Sequence, residues 1–552
     1  MNSSEYIRNI QNRSLFIFKR DNHALETKAT SYDNFINTNL GELPFLVNGR
    51  SIDNFPLVPS APPPPEQIIF TLQNALSWST DTLLADIAKR NIGPTRCARV
   101  LYLWFFTVAS GFHWVSTDSL LTGTKDSWNW NTKYTLQTQD ITTWMIHLLI
   151  YILPTFVTDV DTSYLNNEEL RARNWTIEQQ SSEVARVQDL GHWSSWTDNW
   201  NTWYTNRQSD GYVEAGAVPD NSVLPNGSQT LEVYSTTDNP NDFTDPTKWV
   251  PLKLNGSKKN YLTYNWNDVT STCLTNSDET EIKNSAQSFY PGDASTYNDN
   301  STRANEVAEV VEITNTLTDD QKIIAEFWAG GPNTYSPPGM MLWFWKTTLS
   351  ALAVSDSTCI FSGLDLAIHL FETSRLVWGL KKQNMEARPI QEIRRMYRDQ
   401  TLVKYDGSPI TGAEWVPYQA THFVTPPFAD FPSGHSAFSQ SFANVMNSWF
   451  GPQIPKIEVT LSNLRLISAL FTTDQRNILG NVTIPKGSSE IQPNVVPKNA
   501  LILQWGTWQA MADSSGISRK YGGIHCTSAH TGSQALANSL HEKVSSVWNF
   551  QR

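Results

Sequence analysis

The sequence has few cysteines and no excess of basic residues, and each absence excludes a class of protein. Only four cysteines occur in 552 residues, they are widely separated, and no Cys-x-x-Cys or Cys/His spacing indicates a zinc site or a disulfide framework. The formal net charge of -12 argues against a general nucleic-acid binder, which would need a basic surface. We therefore expect no nucleic acid among the partners of this chain.

Long apolar runs are also missing. The most apolar stretches, residues 100–109 and 144–156, are too short for a membrane-spanning helix and are interrupted or flanked by polar groups. Residues 1–21 carry charges throughout and have no apolar core of the kind that a secretory signal needs. The sequence therefore predicts a soluble, intracellular protein without membrane insertion.

Apolar and aromatic residues, by contrast, are plentiful enough for a large core. The apolar fraction is 39%, with 22 Trp, 18 Tyr and 24 Phe. Apolar positions recur at helical spacing in several segments, separated by polar stretches rich in turn residues. We predict helices over residues 67–89, 96–115, 142–157, 305–328 (with Thr318 as an internal cap), 342–359, 363–382 (continuing towards 388) and a C-terminal helix through 535–547.

The predicted fold class is all-α with long irregular loops and a few short strands. The chain divides into a polar, Pro-rich arm over residues 1–66, a helical half over 67–300 and a C-terminal helical bundle over 301–552. Within the first half, residues 178–300 are rich in Asn, Asp, Thr, Ser and Trp, which predicts irregular surface structure. The loop over residues 334–339 is predicted from its Pro-Pro-Gly sequence.

The stretch from Phe428 to Ser436 is the first candidate functional segment. Pro432 fixes its own φ and favours a helix start, where unpaired backbone N–H groups form an anion site. Gly434 permits close approach of a ligand, Ser433 adds a hydroxyl, and His435 adds a titratable imidazole. The alternative is an ordinary helix start with a capping serine and an incidental histidine.

Lys381 and Arg388 form the second candidate segment. On one continuous helix, a spacing of seven residues places both on one face, about 10 Å apart along the axis. Two cations at that separation can hold opposite sides of an oxyanion, and Arg388 can bind it with two parallel hydrogen bonds. The alternative is a solvated basic helix face.

Arg519 and His525 form the third candidate segment. A spacing of six does not place them on one helix face, but the intervening Gly522-Gly523 permits a bend that aims both at one point. The alternative is a glycine turn before the C-terminal helix.

In this order, the three segments match a known tripartite signature. The pattern Lys381-x6-Arg388-Pro389, then Pro432-Ser433-Gly434-His435, then Ser518-Arg519-x5-His525 resembles the type-2 phosphatidic acid phosphatase superfamily, which includes the vanadium-dependent haloperoxidases. Further stretches resemble the haloperoxidase branch, namely residues 93–96, 245–251, 321–332 and 334–339.

The resemblance implies two four-helix bundles with the active site in the second. It implies one vanadate per chain, bound by Lys381, Arg388, Arg519, Ser433, the Gly434 N–H and, as axial ligand to vanadium, His525. His435 and Lys381 would be the catalytic residues, with His435 as the general acid–base for hydrogen peroxide.

The implied reaction is a peroxidase reaction. Halide (bromide, iodide or chloride) would be oxidised to a hypohalous acid-type species that halogenates a small organic acceptor, and an oligomer is compatible with this. Trp378 and Phe428 match positions that form an aromatic wall around the halide in chloroperoxidase-type members. Such a wall keeps the site dry and strengthens its electrostatics.

Two departures from the family pattern concern acidic residues. Many superfamily members place an acid after the Phe-Trp-Ala stretch to orient the arginine of the third segment, and this chain has Gly330-Gly331. Asp430, close to Ser433, is a candidate replacement partner of Arg519, and the alternative is a solvated loop aspartate. The phosphatase-like pattern also has Asp four positions after the histidine, where this chain has Ala529.

The loss of that carboxylate argues against a phosphatase and leaves the tautomer of His525 open. Two alternatives to a haloperoxidase stay open. One is a metal-free acid phosphatase with His525 as nucleophile and His435 as acid. The other is a catalytically silent structural or binding protein. His530 is interpreted as a surface histidine.

Overall fold

The computed structural model describes residues 70–215, 224–235, 237–292 and 301–551, together with two short antiparallel strands, β1 (Leu46–Val47) and β2 (Arg50–Ser51). Apart from β1 and β2, the predicted arm over residues 1–66 lies outside the described residues. The first residues of the helix predicted at 67–89 lie outside them as well.

Helices dominate the described chain, so the predicted all-α class is confirmed. They are α1 (Leu72–Lys89), α2 (Pro94–Val115), α3 (Thr138–Phe156), α4 (Ser163–Arg173), α5 (Ile177–Leu190), α6 (Trp193–Gln208), α7 (Asn276–Gln287), α8 (Thr302–Asn315), α9 (Asp319–Phe327), α10 (Ser336–Ala351), α11 (Asp356–Asn384), α12 (Pro389–Met396), α13 (Gly434–Phe450), α14 (Trp508–Tyr521) and α15 (Thr527–Trp548). Shorter helical turns occupy Tyr212–Ala215 and, as 3₁₀ segments, Pro240–Asp242, Trp266–Asp268, Gly412–Glu414 and Leu464–Leu466.

The strands are short and lie in the connections, as expected. They are β3 (Thr124–Lys125), β4 (Trp128–Asn129), β5 (Leu231–Glu232), β6 (Leu252–Leu254), β7 (Ser257–Lys259), β8 (Thr401–Val403), β9 (Pro409–Thr411), β10 (Glu458–Leu461), β11 (Gln475–Ile478), β12 (Asn481–Ile484) and β13 (Leu501–Gln504). β5 pairs in parallel with β6, while β6–β7, β3–β4, β8–β9, β10–β11 and β12–β13 are antiparallel pairs.

The helices pack as two groups of four. The first consists of α1, α2, α3 and α10, and the second consists of α11, α13, α14 and α15. The 29-residue helix α11 joins them, because it packs against α2 as well as against α13 and α15. One cluster of buried apolar side chains therefore runs through both groups. The first group takes α10 from the C-terminal half of the chain, so order in the sequence does not separate the two.

The prediction of irregular structure over residues 178–300 was wrong in part. Helices α5 and α6 and, later, α7 lie in this range. Local signals explain them: Thr176 with Gln179 and Thr275 with Asp278 each form a capping box, which satisfies unpaired N–H groups at a helix start. In α6 the buried tryptophans recur at helical spacing, at Trp196, Trp200 and Trp203.

Two helix boundaries near the site also differ from the sequence reading. The Pro-Pro-Gly predicted as a loop is the first turn of α10, where proline is tolerated because its missing N–H would be unpaired anyway. The helix predicted over 305–328 is divided into α8 and α9. Thr318 is the N-cap of α9, as predicted, and forms a capping box with Gln321.

A search of the described residues for a helix long and apolar enough to cross a membrane finds none.

Candidate active site

The site is built around the N-terminus of α13. Ser433 is its N-cap and Gly434 is its first residue, as the sequence predicts. The Oγ atom of Ser433 accepts hydrogen bonds from the N–H of Ser436 (3.4 Å) and from the hydroxyl of Ser436 (3.1 Å). Because both contacts use Ser433 as acceptor, its own hydroxyl proton is left to donate to a ligand.

Lys381 and Arg388 do not lie on one helix, so the shared-face geometry considered for them is wrong. Helix α11 ends at Asn384, and Met385 adopts a left-handed φ of 47° that turns the chain. Lys381 lies in the last turn of α11, whereas Arg388 is the N-cap of α12. The turn brings Arg388 back towards the loop that precedes α13.

Both cations are held by backbone carbonyls of that loop. The Nζ atom of Lys381 donates to the carbonyls of Ala429 (2.6 Å) and Asp430 (2.9 Å). The Nε atom of Arg388 donates to the carbonyl of Phe428 (2.7 Å). The backbone of residues 428–430 thus fixes both cations next to the start of α13.

The third segment supplies Arg519 and His525 from the two sides of the predicted glycine bend. Nη1 of Arg388 lies 3.1 Å from Nε2 of His525 and also donates to the carbonyl of Ile524 (2.8 Å). Nη1 of Arg519 donates to the carbonyl of Trp328 (3.1 Å). The second and third candidate segments therefore meet at the imidazole of His525.

Several N–H groups of the two arginines have no hydrogen-bond partner among the described residues. These are Nη2 of Arg388 and both Nε and Nη2 of Arg519. Both side chains are 1% exposed, so water does not easily replace the missing acceptors. Buried polar groups without a partner are costly, and a bound ligand that accepts hydrogen bonds would satisfy them.

Burial also weakens the charged state of the cations. It lowers the pKa of Arg388 to about 10 and, together with the charge of Arg388, lowers that of Arg519 to about 9. The pKa of Lys381 falls well below its usual value, first through burial and then through the charge of Arg388. An anion bound among these groups would remove their mutual repulsion and stabilise all three charges.

Asp430 accepts a hydrogen bond from Nδ1 of His525. The proton on Nδ1 leaves the Nε2 lone pair as an acceptor that faces Nη1 of Arg388. This answers the question of the tautomer that Ala529 left open. Burial and the charge of Arg388 lower the pKa of His525 well below its usual value, so the imidazole is neutral at pH 7. The alternative in which Asp430 orients Arg519 is wrong, because Asp430 contacts His525, Arg303 and, at 3.8 Å, Arg388 instead.

His435 lines the same cavity as His525 and Arg519. Its Nε2–H donates to the carbonyl of Ala329 (3.2 Å), and burial, followed by the charge of Arg519, lowers its pKa well below the usual value. His435 is therefore neutral at pH 7, with its proton on Nε2.

Gly330 stands where the superfamily pattern that the sequence resembles has an acidic residue, and its surroundings leave little room for a side chain. Gly330 has a left-handed φ of 55°, and a Cβ atom on it would lie 3.1 Å from Nε2 of His435 and 3.2 Å from Cγ of Pro337. A side chain at this position would therefore press on the ring of His435.

We expect the substitution Gly330→Ala to lower the free energy of unfolding by about 1–2 kcal/mol, because alanine is strained at this φ. Gly331→Ala is the matched control: its Cβ would meet only Phe423, at 3.7 Å, in ordinary contact. Alanine there should be neutral or slightly stabilising, since it reduces the entropy of the unfolded chain. Urea denaturation of both variants measures the difference, and equal stability of the two would contradict the account.

A cavity of about 200 Å³ opens above these groups. Trp378 and Phe428 form part of its wall, with ring centroids 4.9 Å apart, and Nε1 of Trp378 donates to the carbonyl of Leu262 (2.9 Å). The remaining lining is mostly apolar and includes five prolines: Pro94, Pro332, Pro337, Pro426 and Pro427. The cavity is thus apolar with a polar end formed by Gly434, His435, Arg519 and His525.

Three residues near the site were missed or misread in the sequence. His530 is half-buried and not on the surface: its Nδ1 lies 3.0 Å from the Oγ of Ser436, which in turn donates to Ser433. Ser436 lies three residues after the capping Ser433, and this spacing could have indicated its contact with the cap. No sequence signal points to Arg303, whose contact with Asp430 depends on the fold alone.

The described ranges contain no group of three or more His, Cys, Asp or Glu side chains placed to hold a metal ion.

Comparison with known proteins agrees with this geometry. Residues 361–550 match the family model of the VCPO second helical-bundle domain. No curated protein matches the chain. The resemblance to vanadium-dependent haloperoxidases drawn from the sequence is thus confirmed for this domain.

Solved structures share the fold at low sequence identity. The structure of the first bacterial vanadium-dependent iodoperoxidase has a TM-score of 0.59 and 17% identity, over 87% of this chain and 98% of that one. The holo-type bacterial vanadium-dependent chloroperoxidase has a TM-score of 0.55 and 14% identity, over 83% and 93%. The apo-type structure of a bacterial vanadium-dependent chloroperoxidase has a TM-score of 0.54 and 15% identity, over 82% of this chain and 95% of that one.

Proposed function

We propose that this chain is a vanadate-dependent haloperoxidase, which uses hydrogen peroxide to oxidise halide to a hypohalous acid-type species that halogenates a small organic acceptor. One observation carries the proposal. Buried guanidinium N–H groups without partners among the described residues, on Arg388 and Arg519, lie in the same site as His525, whose unprotonated Nε2 faces Nη1 of Arg388 at 3.1 Å. An oxyanion that also accepts a bond from a nitrogen ligand satisfies all of these groups together.

The residues present fit vanadate. Arg388, Arg519 and the remaining N–H of Lys381 would bind its oxygens, with the Ser433 hydroxyl and the Gly434 N–H at the start of α13. Nε2 of His525 would be its protein ligand. When bound, vanadate supplies Lewis-acid activation of hydrogen peroxide while the vanadium stays oxidised.

The chain's own residues supply proton transfer and a dry site. Neutral His435 carries a proton on Nε2 and can exchange it with peroxide when the contact with the Ala329 carbonyl opens. Trp378 and Phe428 exclude water beside the cations, which favours desolvation of a halide. The apolar cavity mouth favours a small apolar or aromatic acceptor.

A metal-free acid phosphatase is the second candidate, and one contact favours it. Asp430 supplies to His525 the carboxylate that is missing at Ala529, so Ala529 no longer argues against a nucleophilic histidine. In this reaction the same cations would bind phosphate, and His435 would protonate the leaving group.

We expect vanadate-loaded protein to brominate a β-diketone in the presence of hydrogen peroxide and bromide, while the apoprotein does not. The loss of β-diketone absorbance measures this, and parallel assays with iodide and chloride define the halide preference. Vanadate binding without halide oxidation, together with hydrolysis of phosphoesters, would favour the phosphatase. Vanadate binding with neither activity would indicate a silent protein that retains the pocket.

A further inference from the structure

Asp430 lies three residues before Ser433, and its side chain is fully buried. Its Oδ1 accepts the hydrogen bond from Nδ1 of His525, and its Oδ2 lies 3.1 Å from Nη2 of Arg303. Each carboxylate oxygen thus has a different donor, one from α8 and one from the segment between α14 and α15. These two contacts fix the carboxylate from opposite ends.

Arg303 cannot easily release Asp430, because other contacts hold its guanidinium group. Nε of Arg303 donates to Glu392 (2.9 Å), Nη2 also donates to the carbonyl of Ala387 (2.9 Å), and Nη1 lies 3.2 Å from the carboxylate of Glu386. All these groups are buried. Buried groups that are hydrogen-bonded in this way hold a fixed geometry.

We propose that Asp430 is the positioning residue of His525. It keeps the proton on Nδ1 and so presents the Nε2 lone pair to the bound oxyanion, a role that the phosphatase-like pattern gives to a carboxylate at the position of Ala529. The carboxylate here comes from the loop before α13 and not from the helix that follows His525. The identity of the oxyanion rests on the proposed function, whereas the tautomer does not.

The substitution Asp430→Asn separates a positioning role from a merely structural one. Arg303 only donates, so the oxygen of the introduced amide is expected to face Arg303 and its NH₂ group to face His525. Nδ1 of His525 must then accept, and its proton moves to Nε2, while Nη1 of Arg388, 3.1 Å from Nε2, keeps its hydrogen bond to the Ile524 carbonyl and turns its other N–H away from the ring. A carboxylate-to-amide change of this kind leaves geometry intact but sets the wrong tautomer in a Ser-His-Asp triad.

Glu392→Gln is the matched control. Glu392 shares Arg303 with Asp430 but makes no hydrogen bond or ion pair with His525 among the described contacts. Burial raises the pKa of Glu392 well above its usual value, so an uncharged glutamine is a close replacement. Any effect that arises only from disturbing the hydrogen bonds around Arg303 should appear in this variant as well.

The first test is the ¹⁵N spectrum of apoprotein labelled at histidine, with the signals of His525 assigned by their loss in His525→Gln. We expect Nε2 to be unprotonated at pH 7–8 in the wild type and in Glu392→Gln, and protonated in Asp430→Asn. A wild-type spectrum with the proton on Nε2 would overturn the proposal by itself, even if Asp430→Asn did not fold. An unchanged tautomer in folded Asp430→Asn would overturn it too.

The second test is anion affinity. We expect Asp430→Asn to weaken vanadate binding roughly 10–100-fold, as for other groups that orient a metal ligand, and to weaken inorganic phosphate less. Glu392→Gln should change neither affinity by more than a few-fold. A shifted tautomer with unchanged vanadate affinity would overturn the positioning role. If the wild type bound no vanadate, the proposed function would fail, and the ¹⁵N spectra would still decide the tautomer.

Discussion

Replacing His525 with alanine should abolish stable retention of vanadium, whereas replacing His435 with alanine should retain vanadate and lose roughly 10²–10⁴-fold of peroxide-dependent turnover. The two histidines lie at the same cavity and are both neutral at pH 7, but their hydrogen bonds differ. Nε2 of His525 carries no proton, because Nδ1 carries it and donates it in a hydrogen bond to Asp430, and the Nε2 lone pair faces Nη1 of Arg388. Nε2 of His435, by contrast, carries a proton and donates it to the carbonyl of Ala329. Only His525 is therefore placed to be a ligand through Nε2.

The measurement is vanadium content after gel filtration of vanadate-loaded variants, with bromination rates measured on the same samples. Thermal unfolding of the apoproteins controls for loss of structure. Equal loss of vanadium in both variants would refute the division of roles. Full turnover in His435→Ala would show that the proton is exchanged elsewhere.

Phosphate should compete with vanadate, and Arg388→Ala should weaken the binding of both anions. Nη2 of Arg388 has no partner among the described residues and can donate to an oxygen of a bound anion. Phosphate and vanadate both carry such oxygens. A hydrogen bond to a charged group is worth about 1.5–3 kcal/mol, so a loss of roughly 10–100-fold is expected for each anion. Only vanadate gains the additional bond to His525, so vanadate should stay the tighter ligand.

The measurement is activation by vanadate at increasing phosphate concentration, for the wild type and for Arg388→Ala. Arg171→Ala is the matched control, because Arg171 is an exposed arginine on α4 that pairs with Glu168. Thermal unfolding is again needed, since Arg388 also binds the carbonyls of Phe428 and Ile524. If phosphate in large excess has no effect on activation, the shared anion site is refuted and the vanadate proposal loses its physical basis.

The sequence by itself determined the helical class and the three segments of the site. The start of α13 at Ser433-Gly434 and the cap at Thr318 were readable because capping depends on residues three or four apart in the chain. The same holds for α5 and α7, whose capping boxes were present in the sequence and were outweighed by polar composition. Capping signals of this kind depend only on residues close in the sequence, so they do not change with the packing of the rest of the chain.

Only the tertiary structure decided how the segments face one another. Arg388 reaches His525 because Met385 ends α11, and Asp430 meets His525 across 95 residues of sequence instead of meeting Arg519. Arg303 completes the set from α8, 127 residues before Asp430. These contacts depend on how α8, α11, α13 and α15 pack around one core. No spacing rule predicts which carboxylate a buried histidine will meet, because that pairing follows from which helices bury their apolar faces together.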